Sequence, residues 1–328
     1  MRFVALLTSA LLVASSLRAE CVGQNLITAL PQDQRASLSL ATDAVPFPRG
    51  NFWRAQKDGR QITLVGTFHL DDPRHDATMV WLAPQVLASR TLLVEAGPAE
   101  VAQLNALISA EPQRLINTQG PTLPEALPEA DWLRLSDALR NRGIAPFMAA
   151  KMQPWYVSTL LAIPACQFAL AAAMNGLDQR LIATAETGGV AIAALEPFDT
   201  IFTIFDSFAS QDQLAMLIQT LDATAGDDDM AVTLADAYFS GDSRLYWEFT
   251  KLQLQTRSGM TPAEAEREFA LADTAMLTRR NQDWIAPIEA AAVNGPVTVA
   301  FGALHLSGEK GVLNLLAKAG WTVAPVVP

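Results

Sequence analysis

Two of the three histidines in this chain stand in the same local pattern. Gly66-Thr67-Phe68-His69 and Gly302-Ala303-Leu304-His305 each place a glycine three residues before a histidine, and each follows a run of β-prone apolar residues. Glycine allows the backbone to turn sharply off a strand, because it has no Cβ. Imidazole serves both as a metal ligand and as an acid–base group. The repeated pattern therefore favours chemistry at two strand ends.

A carboxylate follows a third apolar strand, Thr91–Glu95. If residues 61–95 and 297–326 each form a right-handed parallel crossover, then His69, Glu95 and His305 leave the same edge of the sheet. Ligands bind at that edge in open α/β sheets. Two imidazoles and one carboxylate are the usual protein share of a catalytic divalent-metal site. A single histidine after a strand is more often structural, so both interpretations stay open at this point.

Other polar residues receive a plainer interpretation. His75, in Asp72-Pro73-Arg74-His75, is expected in a surface turn and not as a ligand. Asp227-Asp228-Asp229 lacks the ligand spacing of a calcium loop and is expected to be solvated. Glu309 fits a solvated acid near a helix N-terminus. Glu196 ends another strand, where it either lines the crevice or forms an ion pair within it.

The first 19 residues have the character of a secretory signal, because Met1 and Arg2 precede an apolar run that ends in small residues at Ala19. We therefore expect a periplasmic or secreted protein that forms one domain over 20–328. The formal net charge of −11 argues against nucleic acid or anionic lipid as a partner.

The two cysteines, Cys21 and Cys166, are expected to form a disulfide in an oxidising compartment. Two unpaired thiols, one of them buried on an apolar helix, are the alternative. The apolar stretch Trp155–Met174 is as long as a membrane span, but Pro164 interrupts it and no basic flank follows. We expect a buried helix pair there and no membrane span.

The pattern along the chain predicts an α/β fold with a mixed sheet. Asp58-Gly59 is a hairpin signal between the first two strands, which we expect to be antiparallel. A large helical insertion is expected over about 98–290, interrupted by one strand at Val190–Leu195. Further helices are predicted over Met79–Ala88, Pro124–Arg142, Asp199–Leu254, Pro262–Ala292 and Gly311–Lys318, and strands over Val297–Phe301 and Trp321–Val326.

The chain resembles the TraB/GumN family, the bacterial relatives of the Tiki proteases. The resemblance extends in family order over nearly the whole chain after residue 20. The residues that carry it are Val65–His69 with Asp72-Pro73-Arg74, Leu93-Val94-Glu95, Lys151-Met152 with Pro154-Trp155, Gly176 with Asp178, Leu195-Glu196, Arg280-Asn281, and Phe301–Leu306 with Gly308 and Gly311.

This resemblance implies a fold similar to erythromycin esterase and the haem-binding ChaN-like proteins. It also implies metal-dependent peptidase chemistry, as in the family's Tiki branch, with His69, His305 and Glu95 as ligands or their immediate neighbours. For the GumN branch it implies no particular substrate. Arg280 matches the family's Arg-Asn pair and would hold a substrate carboxylate or stabilise an oxyanion, although a simple pairing with an acid is equally compatible. Asn281 is expected to orient it.

The predicted function is an exported metal-dependent hydrolase, peptidase-like, that uses Mn, Co or Zn. Glu95 is expected to act as ligand or general base. The substrate would be a peptide or another small molecule. The alternative is a periplasmic binding protein that captures haem, a metal ion or a glycan without turnover.

Overall fold

A computed structural model describes residues 21–171, 175–256 and 260–327. Its centre is a sheet of six strands. These strands are β1 (Phe52–Lys57), β2 (Arg60–Thr67), β3 (Thr91–Val94), β4 (Ala191–Ala194), β5 (Val297–Gly302) and β6 (Thr322–Pro325). The predicted signal segment lies outside the described residues.

The sheet is mixed, with the spatial order β4-β3-β5-β2-β1-β6. Strands β4, β3, β5 and β2 are mutually parallel, whereas β1 is antiparallel to both of its neighbours. Strand β5 lies in the middle, pairing Gly66 with Phe301 on one side and Val94 with Ala300 on the other. The predicted α/β class with a mixed sheet is confirmed.

The β1–β2 hairpin confirms the turn predicted at Asp58-Gly59. Lys57 pairs with Arg60, so only two residues form the loop. Both have positive φ, 48° for Asp58 and 75° for Gly59. That backbone suits the tight primed turns whose twist matches the strands, and it explains why Asp-Gly occurs here.

Helices surround the sheet and fill the long connections between its strands. In chain order they are α1 (Leu26–Ala29), α2 (Gln32–Asp43), α3 (His75–Leu87), α4 (Pro98–Ala110), α5 (Leu123–Ala126), α6 (Glu129–Asn141), α7 (Pro146–Ala149), α8 (Pro154–Leu161), α9 (Ala165–Ala171), α10 (Leu177–Gly188), α11 (Thr200–Asp206), α12 (Ser210–Ala223), α13 (Asp227–Phe239), α14 (Ser243–Gln255), α15 (Pro262–Asp273), α16 (Arg279–Ala292) and α17 (Val312–Lys318).

Helices cover both faces of the central strands. Neighbouring residues of a strand point to opposite sides of the sheet and so enter different cores. Leu64 and Val299 belong to a core with side chains of α16 and α17, including Trp284 and Leu316. On the other face, the core combines side chains of the sheet with side chains of α3 and α10; its members include Val65, Ala300, Leu82, Val86 and Leu181. Each fully buried side chain of this size contributes about 1.5–3 kcal/mol, so the core fixes the strand ends firmly.

Several helix boundaries differ from the sequence prediction. The predicted helix 124–142 is two helices, α5 and α6, since Leu127 is extended before Pro128. The predicted helix 262–292 contains a π-helical segment, Thr274–Thr278, directly before Arg279. Such segments are frequent near functional sites. Helix α3 begins at His75, four residues before the predicted start, and His75 itself is fully buried.

The apolar stretch 155–174 forms the predicted helix pair as far as residue 171. Helix α8 ends at Leu161 and α9 begins after Pro164, where the proline interrupts the first helix. Within the described ranges, every helix is too short or too polar to span a bilayer.

The predicted pairing of the cysteines is confirmed. Cys21 and Cys166 form a disulfide, with their Cα atoms 5.3 Å apart, across a sequence separation of 145 residues. The bond ties the N-terminal segment to the start of α9. Nearby, Leu26 N–H donates to Thr233 Oγ1 at 2.8 Å, which anchors the same segment on α13.

We expect reduction of this disulfide to lower the free energy of unfolding by up to about 5 kcal/mol, because so long a closed loop restricts the unfolded chain. Urea denaturation with and without a thiol reductant measures the change. The Cys21→Ser/Cys166→Ser variant is the control, since its stability should not respond to reductant.

Candidate active site at the carboxyl edge of the sheet

Four neighbouring parallel strands end at one edge, and an ionisable side chain follows each of them. Glu196 follows β4, Glu95 follows β3, His305 follows β5 and His69 follows β2. Because the spatial order is β4-β3-β5-β2, the four residues form a row along the carboxyl edge of the sheet. Helix α16 adds Arg280 and Asn281 from above this row.

The three predicted metal-site residues meet at Gly302. A Cβ built on Gly302 would lie 3.4 Å from His69 Nε2, 3.5 Å from Glu95 Oε1 and 3.7 Å from His305 Cδ2. The space that the missing side chain leaves is therefore bounded by both imidazoles and the carboxylate. The sequence predicted this convergence, whereas the role of the residues as metal ligands stays a prediction.

Glu95 is held as an anion at the centre of the row. Its Oε1 accepts a hydrogen bond from the backbone N–H of Gly302 at 2.7 Å, and its Oε2 accepts one from Arg280 Nη2 at 2.6 Å. Burial of the carboxylate opposes ionisation. The rings of His305 and His69, in their protonated forms, together with Arg280 outweigh burial and lower the pKa of Glu95 to about 2.

Arg280 is anchored by a second carboxylate. Its Nε and Nη2 donate to Glu196 Oε2 and Oε1, both at 2.8 Å, while Trp284 Nε1 donates to Glu196 Oε2 at 3.2 Å. Burial lowers the pKa of Arg280, but both carboxylates outweigh it and raise the pKa overall. The same burial raises the pKa of Glu196. Glu196 thus forms an ion pair inside the crevice, one of its two predicted roles.

His305 is neutral, and its tautomer follows from its neighbours. The side-chain amide of Asn281 donates from Nδ2 to the carbonyl of Lys310 at 2.9 Å, which leaves its Oδ1 2.6 Å from His305 Nδ1. We infer from this network that Nδ1 carries the proton and Nε2 carries the lone pair. Nε2 faces Arg280 Nη1 at 3.3 Å. Burial, aided by Arg280 and against the pull of Glu95, lowers the pKa of His305 to about 3.

Asn281 therefore acts differently from the sequence prediction. We expected it to orient Arg280, but its side chain binds His305 and the Lys310 carbonyl instead. The two neighbours on α16 therefore contact different groups: Arg280 contacts the carboxylates, and Asn281 contacts the imidazole of His305.

His69 stands beside an anion. Its Nδ1 lies 3.3 Å from Asp178 Oδ1. This contact lacks hydrogen-bond geometry, and the buried Oδ1 has no hydrogen-bond partner within the described chain. Burial opposes protonation of His69, but Asp178 and then Glu95 outweigh it and raise its pKa to about 9. The side chain keeps 60% of its surface accessible, so solvent screens these charges and weakens their effect.

The backbone around His69 is closely packed. Leu177 N–H donates to the carbonyl of Phe68 at 2.9 Å, so the start of α10 rests on this loop. A Cβ on Gly176 would lie only 2.2 Å from the carbonyl oxygen of His69, which explains the glycine. On the other side, buried His75 contacts the Leu70 carbonyl through Nε2 at 3.1 Å. The expected surface position of His75 was wrong, because aromatic side chains cover its ring.

Asp178 is the residue of the candidate site that the sequence does not predict. The Gly176-x-Asp178 motif contains it but assigns it no role. The signal was its position in the first turn of α10, directly after the glycine that packs on His69. Two other acids lie outside the site. Glu309 is exposed and pairs with Lys318, as expected of a solvated acid. Asp227 is not in a solvated loop, because it begins α13 and pairs with buried Arg142.

The chemistry of the donor set fits a divalent cation. Each histidine has Nδ1 beside a carbonyl or carboxylate oxygen, Asn281 for His305 and Asp178 for His69, as is usual for metal-ligating imidazoles. Asp178, Glu95 and Glu196 supply three carboxylates against the guanidinium of Arg280 and the imidazolium of His69, and the remaining negative charge favours a cation.

The spacing of the donors is wider than that of a closed site. Among the described residues, the only three ligand atoms within 4.8 Å of one another belong to Cys21, Cys166 and Asp228, and those cysteines form the disulfide. At the carboxyl edge, the guanidinium of Arg280 contacts both His305 Nε2 and Glu95 Oε2. One ion bound by all three residues would require their side chains to move.

A six-stranded mixed sheet with a row of polar side chains at its carboxyl edge defines an α/β protein with a candidate site at its strand ends. Residues 51–325 match the family model of the TraB/PrgY/gumN family, and the chain belongs to this family. A comparison with curated proteins finds no significant match.

A reciprocal exchange tests the different charge states of the two histidines. We expect Asp178→Asn to lower the pKa of His69 and Asn281→Asp to raise that of His305, each by about one pH unit or more, because a carboxylate favours imidazolium. Histidine NMR titration of chelator-treated protein measures both. His75 is the internal reference, and an unchanged pKa of His69 in Asp178→Asn would contradict the assignment.

The same pKa values predict how the free energy of unfolding changes with pH on both sides of neutrality. Folded His305 resists protonation, so stability should fall as pH drops from about 6.5 towards 3, where unfolded chains bind the proton. Glu95 adds to this loss below its ordinary value of 4.5. His69 acts oppositely, because its contribution is present below 6.5 and is lost as pH rises towards 9. Urea denaturation across pH should show the acid loss weaken in Asn281→Asp.

Proposed function

We propose that this protein is an exported, metal-dependent hydrolase that acts on peptides or similar carbonyl substrates. The observation that carries the proposal is the meeting of His69 Nε2, Glu95 Oε1 and the His305 ring around the position that a Cβ of Gly302 would take. The disulfide and the apolar leader support export. The family membership supports the peptidase class, because the family is related to the Tiki proteases.

In this proposal, His69, His305 and Glu95 would hold the ion, with Mn, Co or Zn as compatible metals. A bound divalent ion supplies Lewis acidity and lowers the pKa of water. The other tasks belong to the side chains around it. Asn281 keeps the Nδ1 proton of His305 in place, so that Nε2 stays available as a donor.

Arg280 is the group best placed to stabilise a developing oxyanion. Its guanidinium is fixed by Glu196 before any substrate arrives, so it needs little reorganisation during the reaction. Its Nη1 faces the row of strand ends at His305. Glu95 is ionised, and as a carboxylate it can serve as ligand or accept a proton from attacking water.

Elemental analysis of the purified chain, together with His69→Ala and His305→Ala, tests the metal site. We expect each variant to lose most of the bound metal and at least about 100-fold of the hydrolytic rate, while remaining folded by circular dichroism. A matched control is His75→Gln, which changes the third histidine without touching the row. Equal metal content in wild type and both alanine variants would overturn the proposal.

Turnover separates a hydrolase from a binding protein. We expect hydrolysis of a peptide panel that chelator abolishes and Mn, Co or Zn restores. A Soret band on haem titration with no turnover of any peptide would favour the haem-binding alternative instead.

Gly302→Ala tests the crevice without removing any polar group. The added methyl would lie 3.4–3.7 Å from its nearest neighbours, which is ordinary contact distance. We therefore expect a change in the free energy of unfolding below about 1 kcal/mol, together with loss of metal uptake, because the methyl occupies the space between the donors. Full metal uptake by this variant would show that the ion, if any, binds elsewhere.

A further inference from the structure

A cavity adjoins the row of strand-end side chains next to Glu196. Its volume is about 240 Å³, and Leu195, Glu196, Arg280 and Trp284 contribute to its walls. Pockets for drug-sized ligands usually have about 300–1,000 Å³. This cavity is therefore of a size that suits one side chain or one chain end.

The cavity lies between α11 and the junction of the π-helical segment with α16. Residues of α11 form one wall, and residues spaced by four along the other helix, from Ala275 through Arg279 to Asp283, form the opposite wall. Glu196 follows β4, which is two strand positions from β5 and Gly302. At about 4.8 Å per strand, the end of the cavity at Glu196 lies roughly 10 Å from Gly302. An extended peptide covers that distance in about three residues.

Three of the charged side chains that line the cavity have no partner among the described residues of the fold. Asp199, Asp283 and Arg279 all line it and are all exposed. None of the three forms an ion pair or a side-chain hydrogen bond with another residue in the described part of the chain. Glu196 and Arg280 neutralise each other, so the unpaired charges leave an excess of one carboxylate.

The walls behind these charges are apolar. Leu195 and Ile204 are buried, and the ring of Trp284 is fully buried. An aliphatic stem can pack on such a surface while its charged end reaches the carboxylates. Asp199 and Asp283 would repel a carboxylate ligand. Both would attract a primary ammonium, which only Arg279 would repel.

We propose that this cavity is a substrate subsite for a primary ammonium group, held between Asp199 and Asp283. The group would be the amino terminus of a peptide or the side chain of a lysine, two or three residues from the reacting carbonyl. This inference rests on the proposed function, because it treats the crevice at Gly302 as the place of reaction.

Four short peptides distinguish the two sources of the ammonium. Ala-Ala-Ala-amide is compared with its N-acetylated form, and acetyl-Ala-Lys-Ala-amide is compared with the norleucine peptide. Binding to the full chain is measured by ligand-observed NMR with chelator present, so that it is read without turnover. We expect the ammonium-bearing member of at least one pair to bind about three- to tenfold more tightly, and less so at 0.3 M salt.

Charge variants give changes of opposite sign. Asp199→Asn/Asp283→Asn should abolish the preference for ammonium-bearing peptides. Arg279→Gln should increase ammonium binding about threefold, because it removes a positive charge that repels the ligand. Asp206→Asn is the matched control, since Asp206 is also exposed on α11 but does not line the cavity. A general loss of structure could not strengthen binding in one variant and weaken it in another.

Equal binding of both members in both pairs, no binding of any peptide, or weaker ammonium binding in Arg279→Gln would each overturn the subsite. These outcomes are separate from a failure of the proposed function. A chain that prefers ammonium peptides but hydrolyses none would overturn the hydrolase alone. A chain that hydrolyses peptides without this preference would overturn the subsite alone.

Discussion

The candidate site depends on the hydrogen bonds and ion pairs of the Arg280 guanidinium. This group donates to Glu95 and Glu196, which follow neighbouring strands, and its Nη1 lies against the unprotonated nitrogen of His305. Without this cation, two partly buried carboxylates would repel each other, and burial would neutralise at least one of them. With it, Glu95 is ionised and available to a cation. The geometry of the strand ends and the charge state of the site are therefore set together by one residue from α16.

The two histidines show how a local neighbour can give similar motifs different properties. Both follow a glycine by three residues at the end of a parallel strand, yet an amide stands beside Nδ1 of His305 and a carboxylate stands beside Nδ1 of His69. His305 is also buried, whereas His69 is open to solvent. The pair thus combines one neutral imidazole with one that binds a proton readily. A site that must exchange protons with water while keeping a fixed donor benefits from this difference.

The strand ends could be predicted from the sequence, because β-prone runs and the Gly-x-x-His spacing are local signals. That is why His69, Glu95 and His305 were brought together correctly. The contacts of Asp178 and Asn281 could not be predicted, since they depend on how α10 and α16 pack over the edge. Burial of His75 was missed for a similar reason, because the aromatic residues that cover it include Tyr238 and Phe239 from α13. Local patterns thus predicted the elements and the edge, whereas packing between distant segments decided which side chains touch.

Strand β5 has a consequence for how the chain reaches this structure. It is the fifth of six strands in sequence but lies third in the sheet, between β3 and β2. Until residues 297–302 are made, those two strands have no partner between them, and their unpaired edges can pair with other chains. Closing the sheet also requires contacts between segments more than two hundred residues apart, which slows folding. The row of strand-end side chains is consequently incomplete until β5 and His305 have been synthesised and β5 has inserted between β3 and β2.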